Sequence, residues 1–130
     1  MNRAQRLLLW AAATDAAFDL AEEAFTGPCI HCRRKLAIPL RDPGASTATV
    51  EHIVPRHHGG TDDLRNLAVA CARCNSGKGV RLDHRRRDDP TLERVIAALR
   101  ETRHARFRDA PEGLPLPPLP PVERGRKRRR

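Results

Sequence analysis

Apolar residues recur at three- and four-residue steps through the first 25 positions. Leu7, Trp10, Ala11, Thr14, Phe18, Ala21 and Phe25 fall on one stripe, while Arg3, Arg6, Asp15, Asp19, Glu22 and Glu23 lie mostly off it. That spacing predicts an amphipathic helix from about Asn2 to Phe25, ended by Gly27-Pro28. The pattern then shortens. Leu36-Ala37-Ile38 reads as a short strand, and the β-branched run Thr47 to Val54 as a second, stopped by Pro55. Leu67 to Ala70 reads as a further strand paired with one of these, with polar loops at 41–46 and 57–63. A helix is expected from about Ala72 to Arg85, although Gly77 and Gly79 weaken it by propensity. Another begins at Asp89-Pro90, an N-cap followed by proline at the first helical position. Its apolar face is Leu92, Val95, Ile96 and Leu99, and Arg94, Arg100, Arg103, Arg106 and Arg108 make it basic. From Ala110 to Pro121 the chain is proline-rich, which predicts extended backbone without a core; Arg124 to Arg130 is a basic end expected to be disordered.

These elements divide the chain into an N-terminal helix (1–26), a central core (27–87), a basic C-terminal helix (88–109) and a tail (110–130). The expected class is α+β. A charged fraction of 32% and an aromatic fraction of 3% leave little material for an apolar core, so a chain of this size needs a staple. Cys29-Ile30-His31-Cys32 and Cys71-Ala72-Arg73-Cys74 supply one. No export signal or membrane-length apolar run is legible, which favours a cytoplasmic protein and a zinc site over disulfides. Two residues between cysteines let both thiolates meet one ion. Four thiolates fill a tetrahedral zinc and keep no open position for water, so this ion is expected to hold the fold. His31, inside the first knuckle, reads as a neighbour of the zinc rather than a ligand.

The formal net charge is +9, of which residues 1–80 carry +2 and residues 81–130 carry +7. That asymmetry suits a polyanion such as nucleic acid. Between the cysteine pairs lie Glu51, His52, Asn66 and, just past the second pair, Asn75. On a regular strand Glu51 and His52 point to opposite faces. Taken singly, each residue is explained by a solvated carboxylate, a half-buried histidine or a turn-capping amide.

Taken together they carry more. Residues 49–79, with Glu-His-Ile-Val-Pro, Gly59-Gly60, Asn66-Leu67 and Cys-Ala-Arg-Cys-Asn-Ser-Gly-Lys in order, closely resemble the HNH endonuclease family. With Cys29 and Cys32 the resemblance spans about residues 29–83. It implies a ββα-metal core, in which a hairpin and a helix clasp one catalytic divalent cation, stapled here by the four cysteines and flanked by helices. It further implies that Glu51 and Asn75 bind that cation, that His52 is the general base, and that Asn66 orients the base and its loop. The chain is then an H-N-N variant, with Glu51 where many members have aspartate.

The implied chemistry is hydrolysis of DNA phosphodiester bonds by nicking or double-strand cleavage. A neutral imidazole takes a proton from water, and a hard cation such as Mg²⁺, Mn²⁺ or Ni²⁺ stabilises the phosphorane. Arg56, His57, His58, Lys78 and Arg81 are the expected contacts to the DNA backbone. The alternative is a zinc-stapled nucleic-acid-binding module without hydrolytic activity. With no sizeable recognition domain in this sequence, low specificity is expected, or specificity lent by a homodimer or a larger targeting partner.

Overall fold

The computed structural model describes residues 1–122. The first helix, α1, covers Arg3–Ala13 and is opened by a capping box: Asn2 accepts from the Gln5 amide while the Gln5 side chain accepts from the Asn2 N–H. It is half the length that the periodicity predicts. Its end is set by groups far along the chain. The Thr14 hydroxyl turns back onto the Trp10 carbonyl at 2.7 Å, and arginine side chains from residues 103 and 108 take the Thr14 and Ala13 carbonyls. Phe18 and Phe25, read as members of the helical stripe, are both fully buried outside it.

Phe25 lies instead in a three-stranded antiparallel sheet of β1 (Asp19–Ala21), β2 (Ala24–Pro28) and β3 (Lys35–Pro39). Glu22 and Glu23, with φ of 52° and 63°, form the two-residue β1–β2 turn, the conformation of a type I′ hairpin that Asn-Gly ordinarily supplies. Gly27-Pro28 ends a strand rather than a helix. A Cβ on Gly27 would stand 2.5 Å from the Phe18 ring, so glycine is what lets that ring lie on the strand.

The second sheet is a hairpin of β4 (Ala48–His52) and β5 (Leu67–Cys71), paired from Ala48↔Cys71 to His52↔Leu67. α2 (Ala72–Lys78) follows β5 directly and passes into a π-helical turn over Gly79–Asp83. The hairpin and α2 are the ββα unit of the α+β fold. α3 (Pro90–Arg106) starts as expected, with Asp89 accepting from the Thr91 and Leu92 amides. Its apolar face packs Leu92, Ile96 and Leu99 on Ile53, Val54 and Ala68, which fixes it behind the hairpin.

Two expectations for the C-terminal half are corrected. Arg103 is fully buried, not part of a solvent-facing basic surface. Its guanidinium donates to the Leu67, Leu64 and Thr14 carbonyls and to the Thr14 hydroxyl, at 2.7–3.0 Å. Arg106 pairs with buried Asp15 at 3.1 Å, and Arg108 caps the Ala13 and Phe18 carbonyls. Three of the five arginines counted as a basic face thus bind the chain to itself. The proline-rich stretch is extended but not without a core: Leu114 and Leu116 pack on the main cluster, and Trp10 Nε1 donates to the Pro117 carbonyl at 2.8 Å. The Arg124 to Arg130 end lies outside the described residues.

Candidate active site and metal centre

The first knuckle leaves β2 at Pro28, and the second forms where β5 becomes α2. The four Sγ atoms of Cys29, Cys32, Cys71 and Cys74 lie within 4.8 Å of one another, with Cys32 and Cys71 4.0 Å apart. A tetrahedral ion with Zn–S bonds of about 2.3 Å holds its sulfurs about 3.8 Å apart, so the set fits zinc. Backbone N–H groups of His31 and Cys71 point at the Cys29 sulfur, and that of Cys74 at the Cys71 sulfur, at 3.3–3.4 Å. Burial, with hydrogen bonds among the sulfurs, pushes the Cys74 thiol up to about 12. Four close thiols of this kind ionise together only when a cation neutralises them. Arg33 completes the first knuckle with φ of 63°, a left-handed position that glycine occupies more readily.

β4 sends Glu51 and His52 to separate clusters. Glu51 is 1% exposed, and its Oε1 lies 2.7 Å from His31 Nε2; its Oε2 has no hydrogen-bond partner. Asn75, on the first turns of α2, reaches the same strand by donating Nδ2 to Thr49 Oγ1 and the Val50 carbonyl, at 3.0 and 3.1 Å. Both Nδ2 protons are used there, which leaves Oδ1 to accept. A buried carboxylate oxygen without a hydrogen-bond partner is chemically able to take a hard cation. His31 is thus more than a neighbour of the zinc: it is bonded to the carboxylate.

His52, the last residue of β4, is partly exposed and engages Asp62, whose Oδ1 lies 2.6 Å from His52 Nε2. The Asp62 side chain is 1% exposed and also receives Arg3, from α1, at 2.6 Å. Burial works to raise the Asp62 pKa, but the hydrogen bonds and charges of His52 and Arg3 outweigh it and hold the carboxyl below its ordinary value. The loop that carries Asp62 is shaped by two residues. A Cβ on Gly60 would stand 1.8 Å from the Val54 carbonyl oxygen, so only glycine permits the close approach. Asn66 accepts from the Val54 amide at 2.9 Å and donates to the Thr61 and Val54 carbonyls at 2.8 and 3.2 Å. It ties the loop to the end of β4.

The residues expected on the DNA backbone divide. Lys78 is buried and donates to the His52 carbonyl and to Asp83 Oδ1, at 3.2 and 2.7 Å. It braces β4 from within, a correction to its expected role at the surface. His57 and His58 both place Nε2 on the Asp83 carbonyl, at 2.5 and 3.0 Å, with rings 4.2 Å apart. They clasp the loop to the turn after α2. Arg56 and Arg81 stay on the surface, Arg81 with its Nε on the Gly77 carbonyl.

Sequence reasoning passes over Asp62, because Thr61-Asp62-Asp63 looks like ordinary turn chemistry. The available signal is its place ten residues after a histidine, in a loop with Gly-Gly before it and Asn66 after it. No helix among the described residues is long and apolar enough to cross a membrane. The chain matches no curated protein and no solved structure. Residues 29–81 match the family model described as HNH endonuclease. That match spans both cysteine pairs, the β4–β5 hairpin and α2, so residues 29–81 match an HNH endonuclease domain, and their four clustered cysteines fit its zinc-stapled type.

Proposed function

We propose that the chain is an endonuclease that hydrolyses DNA phosphodiester bonds with one catalytic divalent cation. The observation that carries this is the Glu51 side chain, buried with an unpartnered oxygen. A carboxylate desolvated without a full set of partners costs several kcal/mol, roughly, unless a cation compensates it. A module that only bound nucleic acid would have no use for that arrangement.

Glu51 and Asn75 hold the cation, Mg²⁺ or another such as Mn²⁺ or Ni²⁺. When bound, it supplies charge stabilisation to the phosphorane and the departing 3′-oxygen. His52 takes the proton from the attacking water. Asn66 fixes the loop behind the imidazole, and the zinc holds the knuckles on which His31 and Asn75 stand. Arg56 and Arg81 are the surface cations that meet the phosphate backbone, His57 and His58 shape the loop beside them, and the basic end at 124–130 adds non-specific attraction. The target and its specificity come from a second copy or a larger partner, in a cytoplasmic setting. One site cuts one strand per event.

The test is nicking of supercoiled plasmid by the zinc-loaded chain in Mg²⁺, Mn²⁺ or Ni²⁺, beside His52→Ala and Glu51→Gln. Cutting that depends on the added cation and disappears in both variants is the expected result. DNA binding without cutting in any cation assigns the chain to the alternative, a non-hydrolytic nucleic-acid module.

A further inference from the structure

Asp62 joins His52 to Arg3, a residue outside the segment that matches the family. A general base needs a neutral imidazole with a lone pair on the nitrogen that faces water, so something must decide which nitrogen holds the proton. Asp62 is placed to decide it. Its Oδ1 is 2.6 Å from His52 Nε2. An ionised carboxylate only accepts, so Nε2 carries the hydrogen and Nδ1 keeps the lone pair.

The carboxylate is itself held. Its other oxygen, Oδ2, receives Nη2 and Nε of Arg3 at 2.6 and 3.2 Å. On the loop side, Asn66 grips the carbonyl of Thr61, the residue just before it. Both Asp62 oxygens therefore have fixed partners, one from the first turn of α1 and one from the last residue of β4. Burial of the Asp62 side chain, 1% exposed, removes competing water from the pair.

We propose that Asp62 is a positioning residue that fixes the tautomer and ring orientation of His52, and that Arg3 of α1 completes the active centre by holding Asp62. The proposal rests on the reading of His52 as the base. It makes α1, outside residues 29–81, a working part of the site rather than a covering helix. The logic is that of any base oriented through its second nitrogen by a buried carboxylate.

The test uses the full chain with zinc bound and two independent readouts. The first is the single-turnover nicking rate at saturating DNA in Mn²⁺, with DNA affinity measured by fluorescence anisotropy. Asp62→Ala is expected to lower the rate about 100-fold with affinity held within about twofold. Arg3→Gln is expected to lower it less, and Arg3→Lys to restore most of that loss. The second is long-range ¹H–¹⁵N correlation of the His52 ring, which needs no activity. The native ring is expected with hydrogen on Nε2, and Asp62→Ala with mixed tautomers.

A native-like rate in Asp62→Ala, or hydrogen on Nδ1 in the native ring, overturns the proposal. If Asp62→Ala fails to fold, the Arg3→Gln and Arg3→Lys pair decides: equal native rates in both overturn it. If the native chain cuts in no cation, the nuclease reading fails. The ring spectra then decide the positioning by themselves, an unchanged tautomer in Arg3→Gln and Asp62→Ala counting against it.

Discussion

His31 Nε2 lies 2.7 Å from Glu51 Oε1, so a residue between the two cysteines of the first knuckle is bonded to a carboxylate on β4. The cysteine knuckle and the proposed cation ligand are thereby joined by one side chain. Removing the imidazole leaves Glu51 buried with neither oxygen partnered. His31→Ala is therefore expected to raise the divalent-cation concentration for half-maximal nicking about 10- to 100-fold, the usual cost of losing a partner of a metal ligand. Zinc content, measured by native mass spectrometry, should stay at the native level. An unchanged cation requirement would separate His31 from the site.

The four sulfurs set a second expectation. With the Cys74 thiol held near 12 by burial and its neighbours, the site closes around an ion or loses its geometry. One zinc per chain is expected, and a strong chelator under reducing conditions should unfold the segment that it staples. Binding free energies of structural zinc are about 10–16 kcal/mol in small domains. Cys74→Ser should lower the melting temperature and the zinc occupancy together. A chain with full thermal stability after zinc removal would refute the staple.

Asp62 gives a pH dependence with a definite sign. Its folded-state pKa is depressed below the ordinary carboxylate value by His52 and Arg3, against the effect of burial. As pH falls, the unfolded chain takes up the proton first. The contribution is fully present above the unfolded value near 4 and is lost as pH drops through the lower folded value. Urea midpoints between pH 3 and pH 7 should show a steeper acid loss in the native chain than in Asp62→Ala. Parallel curves would mean that the carboxylate is not coupled to folding.

Arg103 is the most exposed weakness of the fold. Burial lowers its pKa to about 10, with Asp15 opposing and Arg106 and Arg65 adding to the shift, so it stays charged at neutral pH. Its donors satisfy four oxygens, three of them backbone carbonyls. Arg103→Met strips the guanidinium from the buried Leu67 carbonyl and leaves the Thr14 and Leu64 carbonyls with only the Arg108 and Leu67 amides, and a loss of about 3–5 kcal/mol is expected by chemical denaturation. A loss under about 1 kcal/mol would show that water replaces the guanidinium.

What the residues disclosed in advance was local. The knuckles, the β4–β5 hairpin, α2 and the start of α3 are each written within a few neighbouring positions, by cysteine spacing, β-branching or an N-cap. What stayed hidden depends on distant partners. Nothing near Thr14 announces that residues 103 and 108 will take the carbonyls at the end of α1. Glu22-Glu23 has none of the glycine or asparagine that marks a tight hairpin, so the three- and four-residue apolar steps ran on through the turn. Arg103 looked solvated because arginine on a helix ordinarily is. Asp62, likewise, was a loop acid until the fold set it beneath a histidine.

The same contacts bring the two ends of the described chain side by side. Trp10 meets Pro117, and Arg3, which holds Asp62, also donates to the Pro121 carbonyl. Polypeptide joined before α1 and polypeptide joined after the proline-rich stretch therefore leave from one face, beside the proposed base. A circularly permuted chain, cut in the loop at 41–46 and linked across these neighbours, should keep the fold. A targeting module joined directly before α1 or directly after Val122 would begin its reach toward DNA from the edge of the proposed site.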